Sequence, residues 1–381
     1  MNQIVSYIPF RLGDYDKQLL FIIVLIAGTG MVMLYSASSA IGRELGDSAI
    51  YLKGHFVRLL IGFGVLALTM HIDYRLYKKI AFPLLVIAAI VLLAGLIHHR
   101  FWGTGTTARW IYISGISVQT SELMKFSLIT YIAYYLEKKK DKMNSFNDGL
   151  LPMVIVIGIS SLLILKQPDF STTAILVTVV FIMLFIGNAR ISHLFAIGSV
   201  GSLLMLLSLF GSSYQIARIE SYFKGGDLSG AGYQMQQSMM SLGGGGFLGI
   251  GLGESISKNL FLPTPHTDFI LAIIGEEMGF LGVLAISTLF LMFFFRSLKV
   301  AKSSKDSFGL YLAVGLASSI FLYAVVNAAV VSGLLPVTGL PIPLVSYGGS
   351  NVLYTLGSVG VILNISSSTK NIKKRYNRSS N

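Results

Sequence analysis

Ten apolar runs follow one another along the chain, and each is separated from the next by a polar or glycine-containing segment. The runs lie at about 19–36, 56–70, 80–97, 123–136, 150–165, 172–187, 194–210, 269–295, 310–331 and 352–365. A helix needs about 20 apolar residues to cross a bilayer, so the shorter runs predict helices with polar flanks at membrane depth or with partial shelter from protein. The longest run predicts a helix that tilts or extends past the bilayer. The pattern therefore predicts an all-α polytopic membrane protein, with residues 1–381 as one domain.

The composition supports this class of protein and excludes others. Hydrophobic residues make up 54% of the chain and charged residues 12%, whereas soluble domains carry about 25% charged residues. Disordered chains are poor in apolar residues, and a nucleic-acid-binding surface needs a basic patch on a polar background. The absence of cysteine excludes disulfides, zinc–thiolate sites and a cysteine nucleophile. Asp14 and Asp16 precede the first run, so we expect this run to be retained rather than cleaved as a signal peptide.

The net charge of +12 is confined to alternate connecting segments. Ten spans place both termini on one side of the membrane, together with every second loop. Segments 1–18, 71–79, 137–149, 188–193, 296–309 and 366–381 hold 19 of the 29 basic residues and seven of the 17 acidic ones. The rest of the chain is balanced, with ten residues of each sign. Because basic loops stay on the cytoplasmic side, we expect both termini, including the basic tail 366–381, to be cytoplasmic.

The polar chemistry lies on the opposite side, in loops 37–52, 98–121, 211–267 and 332–350 and in the turn 166–169. Charged residues at the span ends of this side are Glu122, Lys125, Asp169, Asp268, Glu276 and Glu277. Charge at membrane depth is expensive and is a functional-site hypothesis by default. The alternative is internal pairing, which is equally open for Glu122 and Lys125 at i,i+3. Since Glu276 and Glu277 point about 100° apart, we expect at least one to pair with another helix.

Two features of the third large loop have competing interpretations. Asp268 precedes a long helix, where it or Thr267 could act as the N-cap, and His266 is a candidate ligand or base, although a lone loop histidine is usually neither. The glycines of segment 243–249 formally satisfy G-x-G-x-x-G. No strand precedes them, so a dinucleotide site is excluded. We expect these glycines to allow close helix approach or a bent backbone near a ligand.

Motifs along nearly the whole chain resemble those of the SEDS family (shape, elongation, division and sporulation). They are Arg109-Trp110-Ile111, Gln119-Thr120-Ser121-Glu122 with Lys125, Gln167-Pro168-Asp169, Gly232-Tyr233-Gln234 with Gln237-Ser238, Leu262-Pro263 with His266-Thr267-Asp268-Phe269-Ile270, Gly275-Glu276-Glu277 with Gly279, Leu335-Pro336 with Gly339, and Ser346-Tyr347-Gly348-Gly349-Ser350. The chain departs from the family pattern at Thr120, Ser171, Thr264, Thr338 and Asn351. None of these departures touches Asp268.

The resemblance implies a peptidoglycan glycosyltransferase that polymerises lipid II at the outer face of the cytoplasmic membrane. It makes Asp268 the catalytic carboxylate, either as a base or as a ligand of a divalent cation (magnesium or manganese), with no organic cofactor. It implies a class B penicillin-binding protein transpeptidase and other divisome proteins as partners. Residues that we expect to bind the diphosphate or glycan are Arg109, Glu122, Lys125, Arg218, Lys258, His266, Ser346 and Tyr347.

Within the family the chain is most similar to the division members, with a septal role, and the elongation members are the alternative. Residues 214–219 and 253–258 favour the division type. Two further functions remain open at this point. A transporter or lipid flippase would also have ten spans with buried charges, and a scaffold of the division complex would need no catalytic carboxylate.

Overall fold

The computed structural model describes residues 15–102, 109–113, 116–210, 213–224, 230–259 and 261–379. Over these residues the chain forms twelve α-helices and one two-stranded hairpin. The helices are α1 (Lys17–Glu44), α2 (Ile50–His71), α3 (Tyr74–Trp102), α4 (Thr120–Lys138), α5 (Leu151–Leu165), α6 (Phe170–Ile186), α7 (Ile191–Phe210), α8 (Ser213–Lys224), α9 (Gly230–Gly244), α10 (Ile270–Lys302), α11 (Ser307–Val331) and α12 (Ser350–Ser379). The strands are β1 (Trp110–Ile113) and β2 (Ile116–Gln119), which pair antiparallel with Trp110 opposite Gln119.

Each of the ten apolar runs lies in a helix, so the predicted all-α fold is confirmed. Seven of the described helical segments are long and apolar enough to cross a membrane, and α6 is a shorter apolar helix. The short runs 123–136 and 352–365 lie in α4 and α12, whose side chains are mostly buried over these residues. Protein therefore shelters these two helices, and the lipid-facing apolar surface belongs mainly to their neighbours.

Carboxylates define where several helices begin. Asp16 accepts a hydrogen bond from the Leu19 amide (3.1 Å) at the start of α1, and Asp306 accepts one from the Gly309 amide (2.8 Å) at the start of α11. Such caps satisfy amides that have no partner within the helix. Asp306 also binds Tyr74 and Arg75 at the start of α3, so it joins two helix ends.

Contacts bring the six basic segments together at one end of the bundle. The joining pairs are Asp16–Arg296 (2.8 Å), Arg75–Asp306 (3.4 Å), Lys78–Glu137 (2.5 Å), the Asp16 amide with Ser366 (3.0 Å) and the rings of Phe146 and His193 (5.6 Å). The grouping that the charge pattern predicted is thus present in the fold. We call this end the basic end of the bundle.

The glycine-rich segment packs backbone to backbone against α10, which breaks at Gly279 (φ 65°, ψ −163°). The amide of Phe280 donates to Gly246 O (2.9 Å), and the amide of Ile250 donates to Glu276 O (3.0 Å). A Cβ on Gly249 would clash with the backbone of Glu277. Close helix approach, one of the two roles expected for these glycines, is therefore confirmed. The long helix is thus kinked at Gly279.

Candidate active site

Asp268 lies in the loop that precedes α10, at the end of the bundle opposite the basic end. Its backbone oxygen accepts a hydrogen bond from Asn327 Nδ2 on α11 (2.7 Å), which also donates to Leu340 O (2.7 Å). A Cβ added at Gly339 (φ 73°) would lie 3.6 Å from Asp268 Oδ2. This is an ordinary van der Waals distance, so it is the positive φ that favours glycine here, while Asn327 holds both loops at α11.

The side chain of Asp268 does not cap α10. The helix begins at Ile270 with Phe269 as its N-cap, and no side chain completes that cap. Thr267 Oγ1 donates instead to Thr264 O (3.1 Å). The capping alternative for Thr267 and Asp268 is thus not what the structure has, and the half-buried carboxylate remains available for other chemistry.

Electrostatics place this carboxylate in the range of a general base. Burial raises the pKa of Asp268 to about 6, while the charges of Arg218 and Arg109 act in the opposite direction. A base works best when its pKa lies near the working pH. At neutral pH Asp268 is mostly ionised and can accept a proton, and two cations can hold an anionic ligand beside it.

Both arginines are held by backbone oxygens of neighbouring loops. Arg109, just before β1, donates to Gln167 O (3.3 Å) and to Pro168 O, and it lies 4.0 Å from an Asp169 carboxylate oxygen. Arg218, on α8, donates to Val337 O (3.2 Å). The hairpin, the 167–169 turn, α8 and the 336–339 loop therefore converge around Asp268.

A second group of polar and aromatic side chains forms between α2 and the loops. The His266 ring lies 4.3 Å from the Tyr51 ring and 5.8 Å from the Tyr347 ring. The Arg58 guanidinium carbon lies 4.1 Å from the Tyr347 ring centroid, a cation–π distance. His55 is fully buried beside Tyr347 (6.3 Å between ring centroids). We call these five residues the α2 cluster.

The surroundings of two sequence-predicted residues, His266 and Ser346, change the roles expected for them. Burial lowers the pKa of His266 to about 4, so it is neutral at physiological pH and does not attract an anion by charge. The Tyr347 amide donates to His266 O (2.9 Å), which ties the two loops together. Ser346 is buried and accepts from the Ile342 amide (2.9 Å). Ser346 therefore stabilises its own turn.

Lys125 and Glu122 require a correction, because we expected Lys125 to be an outward cation. The structure buries both: Lys125 Nζ lies 2.7 Å from Glu122 Oε2 and sits 3.9 Å from the Tyr323 ring and 4.2 Å from the Tyr354 ring. Two aromatic faces and one carboxylate surround the ammonium group. Of the two interpretations left open for this pair, the geometry matches internal pairing.

Lys258 requires the same correction. Its ammonium group is buried, 3.0 Å from Glu277 Oε1 and 3.2 Å from Ser36 Oγ on α1, and it also donates to Gly253 O. Ser36 Oγ in turn donates to Glu277 (2.6 Å). The expectation that one of the two adjacent glutamates pairs with another helix is confirmed by Glu277. Lys258 therefore fastens the loop to α1 and α10.

Sequence reasoning missed Asn327 and three members of the α2 cluster, Tyr51, His55 and Arg58. A signal for Arg58 was present, since it lies inside the apolar run 56–70. The rule that singled out Lys125 applies equally to a charge at that depth. Tyr51 and His55, at i,i+4, share a helix face with Arg58 at i+3 from His55.

The fold and the site define a polytopic membrane protein with two arginines and a carboxylate of raised pKa at one end of a helical bundle. Residues 17–371 match the profile of the FtsW/RodA/SpoVE family, which is described as "cell cycle protein". The chain belongs to this family, as its motifs predicted.

Known relatives match over nearly the whole chain. A probable peptidoglycan glycosyltransferase FtsW of Trichlorobacter lovleyi is 40% identical over 95% of this chain and 96% of its own length. Stage V sporulation protein E of Bacillus subtilis is 36% identical, over 92% of this chain and 96% of its own.

Solved structures have the same fold. A chain from a peptidoglycan synthase complex described as coordinating polymerization and crosslinking superimposes with a TM-score of 0.78 at 25% identity, over 94% of this chain and 99% of that chain. The rod shape determining protein RodA of Thermus thermophilus gives a TM-score of 0.71 at 24% identity, over 95% and 99%. The predicted polytopic architecture is confirmed by this likeness.

Proposed function

We propose that this protein is a peptidoglycan glycosyltransferase that polymerises lipid II, with Asp268 as the catalytic base. The observation that carries the proposal is the half-buried Asp268 carboxylate, which has a pKa of about 6 and lies in the field of Arg218 and Arg109. Curated relatives 36 to 40% identical to this chain include proteins named for the same activity. The site and the relatives support one reaction class.

Membrane orientation supports the same reaction. The basic end of the bundle belongs at the cytoplasmic side by the positive-inside rule, which assigns the Asp268 end to the outer face of the cytoplasmic membrane. Lipid II polymerisation requires the site on that face. Both termini are then cytoplasmic, and the whole chain serves as one membrane domain.

The proposed step uses the residues as follows. The 4-hydroxyl of the incoming lipid II attacks the anomeric carbon of the growing glycan, and its proton passes to Asp268. The new glycosidic carbon–oxygen bond forms as the bond to the lipid diphosphate breaks, with inversion at carbon. Arg109 and Arg218 stabilise the negative charge that develops on the leaving diphosphate. Proton and electron pair are thereby balanced between Asp268 and the leaving group.

A divalent cation fits this site only together with the substrate. Among the described residues no group of three or more histidine or acidic side chains could hold a metal ion. Magnesium is commonly held by one or two carboxylates together with substrate phosphates. Asp268 would supply the protein ligand, and the cation would supply charge neutralisation at the diphosphate.

The deciding experiment is polymerisation of purified lipid II in the presence of a class B penicillin-binding protein, the partner that the family implies. We expect the parent protein to make glycan strands and Asp268→Asn to make none. The matched control is Asp47→Asn, which removes a partly exposed carboxylate that pairs with Lys53 (2.7 Å) and accepts a hydrogen bond from the Ala49 amide (2.9 Å). Equal polymerisation by Asp268→Asn and the parent would refute the catalytic assignment.

The same set of proteins tests the two other functions. A flippase would move lipid II across vesicles without polymerising it, and would tolerate Asp268→Asn. A scaffold would support growth with Asp268→Asn at normal expression. The break in α10 does not favour transport, because the amides of Ile250 and Gly251 satisfy the carbonyls of Glu276 and Glu277. Transporters use such breaks to bind ions or substrate.

A role in division is the finer part of the proposal. The similarity to proteins named FtsW supports septal synthesis, whereas rod-shape proteins share the fold. A fluorescent fusion is expected at midcell during division. Uniform sidewall localisation would instead assign the protein to elongation.

A further inference from the structure

A groove at the basic end of the bundle carries a concentration of cations that the reaction does not use. It has a volume of about 560 Å³ and is lined by Arg75, Lys78, Lys79, Phe82, Tyr134 and Asp306. Four of these residues come from the first turns of α3, at spacings of three and four, so they form one stripe of the helix. Asp268 lies at the opposite end of the bundle.

Acids neutralise the cations of this stripe only in part. Arg75 pairs with Asp306 (3.4 Å) and Lys78 with Glu137 (2.5 Å), and both basic side chains stay more than two-fifths exposed. Lys79 is exposed and has no ion pair among the described residues. Lys138 at the other wall, which donates to Tyr134 (3.0 Å), adds a fourth cation. The cations around the groove thus outnumber the acids Asp73, Glu137 and Asp306 by one.

One acid caps the amino-terminal end of α3, which also carries three cations. The amino-terminal end of a helix carries a partial positive charge, which favours acids and disfavours cations in the first turn. Asp73, just before α3, accepts a hydrogen bond from the Arg75 amide (3.0 Å), whereas three cations lie within the first six residues of the helix. A bound anion would interact favourably with the cations and with the helix end at once.

The groove also reaches the lipid-facing surface. Phe82, one turn beyond Lys78 and Lys79, is 60% exposed and lies against Tyr131 of α4 (6.3 Å between ring centroids). Tyr134 accepts a hydrogen bond from Lys138 Nζ (3.0 Å) at the other wall. One side of the groove thus offers charge to a headgroup, and the other offers an apolar surface to an acyl chain.

From these observations we infer that the groove between α3, α4 and the start of α11 binds the headgroup of an anionic phospholipid from the inner leaflet. Basic pockets between membrane helices on the cytoplasmic side bind such headgroups. The phosphate lies among Lys78, Lys79 and Arg75, and the acyl chains follow Phe82. The bound lipid links α3, α4 and α11 at the end opposite the catalytic carboxylate. This inference does not depend on the enzymatic activity.

The test measures lipid binding to the purified full-length protein by native mass spectrometry, with phosphatidylglycerol and phosphatidylcholine as probes. We expect the protein to bind phosphatidylglycerol more tightly. Lys79→Gln should raise its apparent Kd about fivefold, because one basic residue near a membrane surface contributes about 1 kcal/mol, and Lys79→Glu should raise it further. The matched control is Arg190→Gln, an exposed cation at the same end but outside the groove, which should leave the Kd unchanged.

Three results would overturn the inference. The first is unchanged phosphatidylglycerol binding by the Lys79→Glu variant. Lys79 is exposed, so this substitution should not disturb folding. The second is equal affinity for phosphatidylcholine, which would show that charge does not select the ligand. The third is displacement of the bound lipid by inorganic phosphate alone, which would assign the groove to a soluble phosphate rather than to a lipid.

Discussion

The buried pair of Lys125 and Glu122 provides a prediction that separates a structural role from a substrate-binding role. Replacing Lys125 by methionine keeps the approximate length of the side chain but removes its charge. Glu122 then remains buried 2.7 Å from the lost ammonium group, and the faces of Tyr323 and Tyr354 lose a cation at about 4 Å. Breaking a buried pair from one side costs about 3–5 kcal/mol.

The double variant Glu122→Gln, Lys125→Met removes both charges and should recover most of this loss, because no uncompensated charge remains. The assay is unfolding of the purified protein in detergent, for the parent, both single variants and the double variant. Lys53→Met is the control, since Lys53 pairs with Asp47 at an exposed site and should cause no measurable loss.

A structural role for the Lys125–Glu122 pair would be refuted if Lys125→Met were as stable as the parent, or if the double variant were as unstable as Lys125→Met. A raised KM for lipid II with unchanged stability would return Lys125 to the substrate-binding residues. Lipid II polymerisation by the same four proteins supplies this second readout.

Three further predictions follow from other contacts. Asp268→Asn should be about 1–3 kcal/mol more stable than the parent above pH 6, and this difference should vanish below pH 4. The reason is that the pKa of Asp268 is about 6 in the folded protein against 3.8 for a free aspartate, so folding disfavours the ionised carboxylate. Unfolding measurements at several pH values test this. Gly279→Ala should lower the free energy of unfolding by about 3 kcal/mol or more, because Gly279 has a φ of 65° and an added Cβ would clash with the Gly249 backbone. In the control Gly28→Ala the added Cβ meets nothing within 4 Å, so this variant should fold normally. Thermal unfolding compares the two variants. The Arg58 guanidinium packs on Tyr347, and if it also binds the diphosphate of lipid II, Arg58→Gln should raise the KM about tenfold, the effect of losing one charged hydrogen bond; an unchanged KM would confine Arg58 to packing on Tyr347.

The helices and the grouping of the basic segments were predictable because they depend on properties that are local in the sequence. Apolar runs define the helices, and alternate basic segments define the ends that lie together. The ion pairs Asp16–Arg296 and Lys78–Glu137 join segments that the charge count had already grouped. Helices α4 and α12 also followed the prediction that short runs are sheltered by protein.

The elements of the outer loops were less predictable, since their stability comes from contacts distant in sequence. The loop 98–121 contains the hairpin β1–β2, and the loop 211–267 contains helices α8 and α9. Arg218 on α8 meets Val337, and Ser238 on α9 donates to Val331 O (2.9 Å). None of these partners is within reach of a pattern read along the chain.

Which charged side chains are buried could not be predicted from the sequence either. From the sequence alone, Lys125 and Lys258 are candidates to bind an anion, because the sequence does not show whether their side chains point outward or inward. In the structure each ammonium group turns inward to a glutamate, Glu122 or Glu277. Distinguishing an outward cation from an internal one requires knowing which helices and loops surround it.

The pH dependence of lipid II polymerisation tests the central claim most directly. If Asp268 acts as the base with its raised pKa, the rate falls as pH drops through about 6, with the slope of a single proton, because the protonated carboxyl cannot accept the hydroxyl proton. An ordinary exposed aspartate would keep its activity down to about pH 4. The predicted result is a fall in the polymerisation rate as the pH drops below about 6. A rate that stays constant through this range would contradict the assignment of Asp268 as a base whose pKa is raised by burial.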